Sequence, residues 1–368
     1  MLKGKRMNNW KQSNIGDVVE IKYGKDHKIL NDGKYPLYGS GGIMRYVESF
    51  IYDKPSVLIP RKGSIENLFF TDKPFWSVDT LFWTKIDANK IDPRFLFYLL
   101  SCIKLSRFDE GSAIPSLTVK TLNEIVISYP ESLTEQIQIR KVLEKIDMKI
   151  ELLLQQNQTL EEMAQTLFKE WFVNFRFPGA GKMVDSELGM IPEGWKVGKL
   201  EELIEIKYGK DHKHLEEGTI PVYGSGGIMR YANKPLYSDQ SILIPRKGTL
   251  SNLFYIKTPF WTVDTMFYSK IRKKEFGKFC FLLLKTFNLA SMDVGSAVPS
   301  LTTHLLNGIK IIIPDNKIMK TFDDVVSTIF KKKEFNETQI QTLTQFRDRL
   351  LPKLMSGELR VKTFNFKK

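Results

Sequence analysis

Three short stretches combine glycine with basic, hydroxyl and aromatic side chains. They are Tyr23-Gly24-Lys25-Asp26-His27-Lys28, Tyr38-Gly39-Ser40-Gly41-Gly42 leading to Arg45 and Tyr46, and Pro60-Arg61-Lys62-Gly63-Ser64. Glycine lets backbone N–H groups approach a phosphate closely, and Arg or Lys supplies the opposing charge. Arg and Lys also match the acceptors on a guanine edge, while Ser and His reach either base or phosphate. Arg61, Lys62 and Ser64 are therefore candidates for gripping a DNA backbone, and Lys25, His27, Ser40, Arg45 and Tyr46 for reading bases. A blander reading stands beside each: GSGG also makes a simple tight turn, Trp76 also serves as a core anchor, and Asp79 also serves as a cap or ion-pair partner.

Every one of these stretches occurs twice. IKYGKDHK at 21–28 returns unchanged at 206–213, YPLYGSGGIMRY at 35–46 as IPVYGSGGIMRY at 220–231, and SVLIPRKGSIENLF at 56–69 as SILIPRKGTLSNLF at 241–254, all 185 residues on. GSAIPSLT at 111–118 returns as GSAVPSLT at 295–302, one residue closer. The second copy supplies Arg246, Lys247 and Thr249 as backbone candidates, and Lys210, His212, Ser225, Arg230 and Tyr231 as base-reading candidates. A repeat of about 130 residues is a whole domain, not a solenoid unit of 20–50.

Enzyme signatures are sparse. GAGK at 179–182 has Arg176 where a phosphate-binding loop needs its first glycine and Met183 where it needs Ser or Thr. No glycine-rich dinucleotide or methyl-donor loop follows a strand, and the four histidines have no metal-ligand spacing. One feature argues the other way: Glu20-Ile21-Lys22 and Glu205-Ile206-Lys207 copy the E-x-K half of a nuclease metal site. A self-sufficient metal-dependent nuclease is therefore the alternative reading. Cys102 and Cys280 do not occupy matching positions and read as buried thiols in a reducing compartment.

The elements that must position the loops alternate. Residues 131–172 contain no Pro or Gly and carry a heptad seam through Ile139, Leu143, Ile146, Ile150, Leu153, Asn157, Leu160, Ala164, Leu167 and Trp171. A second seam, more polar in its middle, runs through Ile318, Phe322, Val325, Ile329, Lys332, Asn336, Gln339, Leu343, Phe346 and Leu350. Asn157 and Asn336 hold the same rank and are candidates for fixing helix register, or else are partly exposed polar residues. Between the seams, SVLIP, LFWTKI and IVISYP read as strands, and PRFLFYLLSCIKL as a helix with Asp92 at its N-cap and Pro93 in its first position.

The fold class expected is α+β: two similar α/β domains separated by two long helices that pack as an antiparallel coiled coil with pseudo-two-fold symmetry. The ranges are 1–130 for the first domain, 131–178 for the central helix, 179–314 for the second domain, and 315–368 for the C-terminal helix and tail.

The net charge of +13 points to a polyanionic partner. Each domain contributes +5 and the central helix −2, as suits a chain that touches DNA at two places, although scattered solvated lysines would give the same sums. MLKGKRMNNW carries no apolar leader and no apolar run is long enough to span a bilayer, so no membrane partner and a cytoplasmic location are expected.

Nearly the whole chain resembles the specificity (S) subunit of type I restriction–modification systems. AQTLFKEWFVNFRFP at 164–178, GMIPEGWKVGKLEEL at 189–203 and LLPKLMSGELRV at 350–361 carry the resemblance, with YGSGG, PRKGS and GSAIPSL in the lobes. The resemblance implies a non-catalytic, sequence-specific DNA-binding subunit whose two target-recognition domains read a bipartite site. It implies double-stranded DNA, two methyltransferase (M) subunits and restriction/translocase (R) subunits as partners. This chain would bind no cofactor. S-adenosylmethionine would sit on the M subunits, which methylate adenine, and ATP and Mg on the R subunits, which cleave. The likeness between the two lobes, closer than the family usually shows, adds the expectation of a palindromic site.

Overall fold

The computed structural model describes residues 9–111, 114–292 and 300–361. Parts of the GSAIPSLT and GSAVPSLT strings, at 112–113 and 295–299, lie outside the described residues, as do 1–8 of the N-terminal stretch. The chain divides into two compact units, residues 1–153 with 338–368 and residues 154–337.

The first unit holds the first lobe. Val19–Tyr23, Leu81–Ile86, Ser56–Pro60 and Phe69–Thr71 form an antiparallel sheet in that order. Asp32–Gly39 pairs antiparallel with Gly42–Val47 and parallel with the two residues Trp76–Ser77. Trp10–Asn14 pairs with Val126–Pro130. SVLIP is buried at all five positions, so its polar member needs internal partners. Ser56 Oγ donates to the Thr84 carbonyl at 2.9 Å and accepts the Thr84 N–H at 3.0 Å, while the Val57 N–H donates to Thr84 Oγ1 at 2.9 Å. The helix Pro93–Ser101 starts as its sequence predicts, with Asp92 accepting the Phe95 N–H at 2.9 Å and Pro93 in the first position.

The second unit repeats this lobe strand for strand. Ile204–Tyr208, Met266–Ile271, Ser241–Pro245 and Phe254–Ile256 form its sheet, and Gly227–Ala232, Ile220–Gly224 and Trp261–Thr262 its hairpin layer. Ser241 and Ser269 reproduce the buried hydroxyl exchange. Its core gathers Phe168, Phe172, Trp195, Phe279 and Phe322, with Phe177 stacked on Trp195 at 5.0 Å, so two of the three strings that carried the family resemblance are packing residues.

The two long helices are Leu133–Phe172 and Asn316–Met355. Inside each unit their segments run antiparallel. In the second, Asn157 meets Asn336, Glu161 meets Lys333 and Phe168 meets Phe322; in the first, Asp147 meets Arg347 and Leu143 shares a core with Leu354. The second seam differs from the predicted one. Met319 and Val326 are buried, whereas Val325 and Phe346 are exposed. The buried stripe thus passes one residue later at alternate positions. Lys333 and Arg347 stand at two of those later positions with their charges paired to Glu161 and Asp147, and those polar side chains hid its phase. Cys280 is buried, but Cys102, expected to be buried, is exposed where the helix Pro93–Ser101 ends. Among the described residues no helix is long and apolar enough to cross a membrane.

Candidate nucleic-acid interface

In each lobe the three loops are tied to one another. The Tyr23 loop turns where Gly24 lies against the Val78 carbonyl: a Cβ there would stand 1.9 Å from that oxygen, and at Gly209 2.0 Å from the Val263 oxygen. No other residue fits either position. Trp76 Nε1 donates to the Lys25 carbonyl at 3.2 Å and Trp261 Nε1 to the Lys210 carbonyl at 2.9 Å, so both tryptophans anchor this loop. The Asp26 carboxylate accepts the Lys28 N–H, which holds its pKa below the usual aspartate range and closes the turn. Lys25, Lys28, Lys210 and Lys213 are left exposed.

Arg45 joins the hairpin to this loop. Its Nη2 donates to the His27 and Leu30 carbonyls at 3.0 and 2.9 Å, and its Nη1 to Asp32 at 2.9 Å. Arg230 bonds the His212 and Leu215 carbonyls at 2.5 and 2.9 Å, and its Nε donates to His212 Nδ1 at 3.1 Å. Both arginines are half-buried, with these donors committed inside the lobe. Tyr46 and Tyr231 are exposed, while Ser40 and Ser225 are half-buried at the hairpin tips.

The third loop is braced from behind. The Leu117 N–H donates to the Arg61 carbonyl at 2.9 Å and the Gly63 N–H to the Pro115 carbonyl at 3.0 Å; Leu301 does the same for Arg246 at 3.0 Å. Gly63 and Gly248 take φ of +82° and +86°, the left-handed region that glycine enters without strain. Lys62, Ser64, Lys247 and Thr249 are exposed. Arg61 lies over the Tyr23 ring at 5.4 Å and Arg246 over Tyr208 at the same distance. In the second lobe, Asn252 Nδ2 donates to the Ser225 carbonyl at 2.9 Å and so joins this loop to the hairpin tip. Tyr23 and Tyr208, half-exposed beneath those guanidiniums, were absent from the candidate residues. Their position before the glycine and their recurrence were the available signals. Asn157 and Asn336 lie apart from the loops, in the helix pair, where Asn336 Nδ2 donates to Asn157 Oδ1 at 2.9 Å and both are buried.

The E-x-K strands do not assemble a metal site. Lys22 hydrogen-bonds Glu20 and Lys207 hydrogen-bonds Glu205, each holding its partner's carboxyl below the usual range. Among the described residues no cluster of three His, Cys, Asp or Glu is placed to hold an ion. The nuclease alternative gains no support.

A family model described as the type I restriction modification DNA specificity domain matches residues 7–162 and 192–345. The chain belongs to this DNA specificity-domain family. The MjaIX specificity subunit of Methanocaldococcus jannaschii is 28% identical over 344 residues, covering 84% of this chain and 79% of that protein. The MjaVIII specificity subunit of the same organism is 23% identical over 408 residues, covering 97% and 95%. The HindI specificity subunit of Haemophilus influenzae is 24% identical over 362 residues, covering 74% and 79%. The crystal structure of a type I restriction–modification S subunit from M. genitalium shares the fold with a TM-score of 0.62 at 21% identity, covering 95% of this chain and 97% of that one. Each matched stretch of this specificity-domain chain contains one complete three-loop cluster.

Proposed function

We propose that this chain is the DNA-reading specificity subunit of a type I restriction–modification complex, and that its two lobes read the two halves of one interrupted site. The observation that carries the reading is the duplicated cluster: the same three basic, glycine-turned loops, tied together by the same bonds, in each matched stretch of a family member. Arg61, Lys62, Ser64, Arg246, Lys247 and Thr249 position the lobes on phosphates. Lys25, His27, Ser40, Tyr46 and their counterparts Lys210, His212, Ser225 and Tyr231 face the bases, while Arg45 and Arg230 hold the reading loop in shape. Chemistry stays with the partners: two methyltransferase subunits carrying S-adenosylmethionine, and restriction subunits using ATP and Mg. The long helices set the distance between half-sites, and the Asn157–Asn336 pair fixes their register.

Matching loops read matching base strings, so the site is an inverted repeat with a gap. Sequencing methylated adenines in DNA from cells that make the chain with its methyltransferase partner tests this. The expected motif is an interrupted palindrome methylated on both strands. Two unrelated half-sites would show that the shared loops are scaffold and the divergent stretches do the reading. A methylation pattern independent of this chain would overturn the specificity role itself.

A further inference from the structure

The hairpin strands Gly42–Val47 and Gly227–Ala232 lie at the edges of their sheets and expose apolar side chains that no structural need accounts for. Ile43, Met44 and Tyr46 are 49%, 59% and 52% exposed; Ile228, Met229 and Tyr231 are 49%, 59% and 48% exposed. The cause is a bulge. Leu37 pairs with Arg45 and Tyr38 with Ile43, so Met44 is an extra residue without a partner; Met229 is the extra residue between Arg230 and Ile228. A bulge re-aims a side chain that strict alternation would have turned the other way. Met44 folds over Gly39, where an added Cβ would stand 2.5 Å from its sulfur, and Met229 folds over Gly224 with the same spacing. The result is a low apolar ridge along the outer hairpin of a three-stranded sheet, in a lobe whose neighbouring loops expose Lys25 and Lys62 or Lys210 and Lys247.

We infer that this ridge makes apolar contact with thymine 5-methyl groups in the major groove, through Met44 with Ile43 in one half-site and Met229 with Ile228 in the other. The major groove admits a two-stranded ribbon, and the thymine methyl is the apolar feature of its edge code. The exposed lysines of the other two loops in each lobe suit the phosphates that line the groove. The tip residues Ser40 and Gly41 carry no large side chain, so the ribbon lies along base edges and does not wedge between them.

The inference rests on the DNA reading proposed above, and one experiment separates the two. Binding of the chain assembled with its methyltransferase partner is measured on duplexes carrying the mapped motif, with each thymine replaced in turn by uracil, which lacks only the methyl. At one or two thymines in each half-site, affinity is expected to fall about fourfold per methyl. In the M44A/M229A variant that loss shrinks, because the methionine part of the contact is already gone and only Ile43 and Ile228 remain. Indifference to uracil at every position, a loss undiminished in the variant, or half-sites without an A·T pair each overturn the inference and leave the specificity role intact. Failure of the assembled complex to prefer its motif over unrelated DNA overturns the role instead.

Discussion

The two lobes share their three outward loops at every position except Ser64 against Thr249 but support them with different partners. Asn31 donates to Glu48 in the first lobe; at the matching places the second has Glu216 and Asn233, with Asn233 donating to Glu216 at 3.0 Å. The acid and the amide have changed places and the contact survives. Arg45 reaches Asp32, whereas Arg230 reaches His212 instead and makes the same pair of carbonyl bonds. Behind the lobes, the first bonds its short helix to the long one through Asp92 and Arg140, and the second through Lys278 and Asp323, with charges reversed. Supports vary in compensated pairs, while the loops they hold vary only from Ser64 to Thr249. That pattern is expected when both loops face the same chemical target.

The largest effect belongs to the reversed pair. Lys278 is buried, its Nζ 2.7 Å from Asp323, so the Lys278→Met variant leaves a largely buried carboxylate unpaired. Breaking such a pair costs about 3 kcal/mol, or roughly 6–12 °C in melting temperature for a unit of this size. In the first lobe the Asp92–Arg140 contact is longer, at 3.3 Å, and its guanidinium more exposed. Asp92→Asn keeps the cap on Phe95 and is expected to cost only about 1 kcal/mol. Thermal denaturation compares them, and equal losses would show that the two lobes are braced alike after all.

The loops themselves give the next largest effect. Arg61→Ala with Lys62→Ala, and separately Arg246→Ala with Lys247→Ala, should each lower the slope of log K against log salt by about 1.8. Extrapolated from 1 M, that is roughly a 30-fold loss at 0.15 M, equal for all DNA sequences. Equal slopes from the two double variants sharpen the equivalence of the lobes. A loss confined to one lobe breaks it.

A third comparison sets the buried amide pair against its neighbours in the helices. Asn157→Ala leaves the buried Asn336 amide only its longer bond to Gln156 Oε1 at 3.4 Å and should cost about 1–3 kcal/mol. Replacing both with Leu removes the unmet need along with the bond, and should be neutral or stabilising while loosening register. A double variant as unstable as the single one would mean that the pair supports the fold beyond its own hydrogen bond.

Much of this was legible in the chain because duplication is read by identity and needs no physics. The first seam was legible too, since Leu143, Leu153, Ala164 and Trp171 are apolar and buried. The second seam was read correctly at Phe322 and Asn336 but one residue early at alternate positions, because the true positions include Lys333 and Arg347, whose charges are met by Glu161 and Asp147 from the other helix. Distant partners of that kind leave no local pattern. The same limit applies to Glu66, which stands where the second lobe has Ser251. Its carboxylate accepts the backbone N–H groups of Leu105 and Ser106 at 3.2 and 2.9 Å, a contact forty residues away in sequence. The bulge at Met44 was hidden for another reason: GIMRYV carries no extra glycine or proline to announce it, and only the pairing register reveals it.

The smallest predicted effect is the most direct test of compensation. Asn31→Glu alone places a second carboxylate against Glu48, replacing two donated N–H bonds at 3.1 Å with like-charge repulsion at an exposed site. Exposed like-charge pairs are weakly destabilising, so the shift in melting temperature should be small and should shrink as salt rises. The backbone bond from the Glu48 N–H to the Asn31 carbonyl at 3.0 Å remains, which keeps the hairpin in register. Asn31→Glu with Glu48→Asn then builds the second lobe's arrangement inside the first and should restore stability to within a few tenths of a kcal/mol. Site choice should not change in either variant, because the polar groups of the pair are spent on one another. If the double variant shifts the methylated motif, Asn31 or Glu48 touches the DNA, and the divergent stretch at 29–34 becomes part of the reading surface of the first lobe.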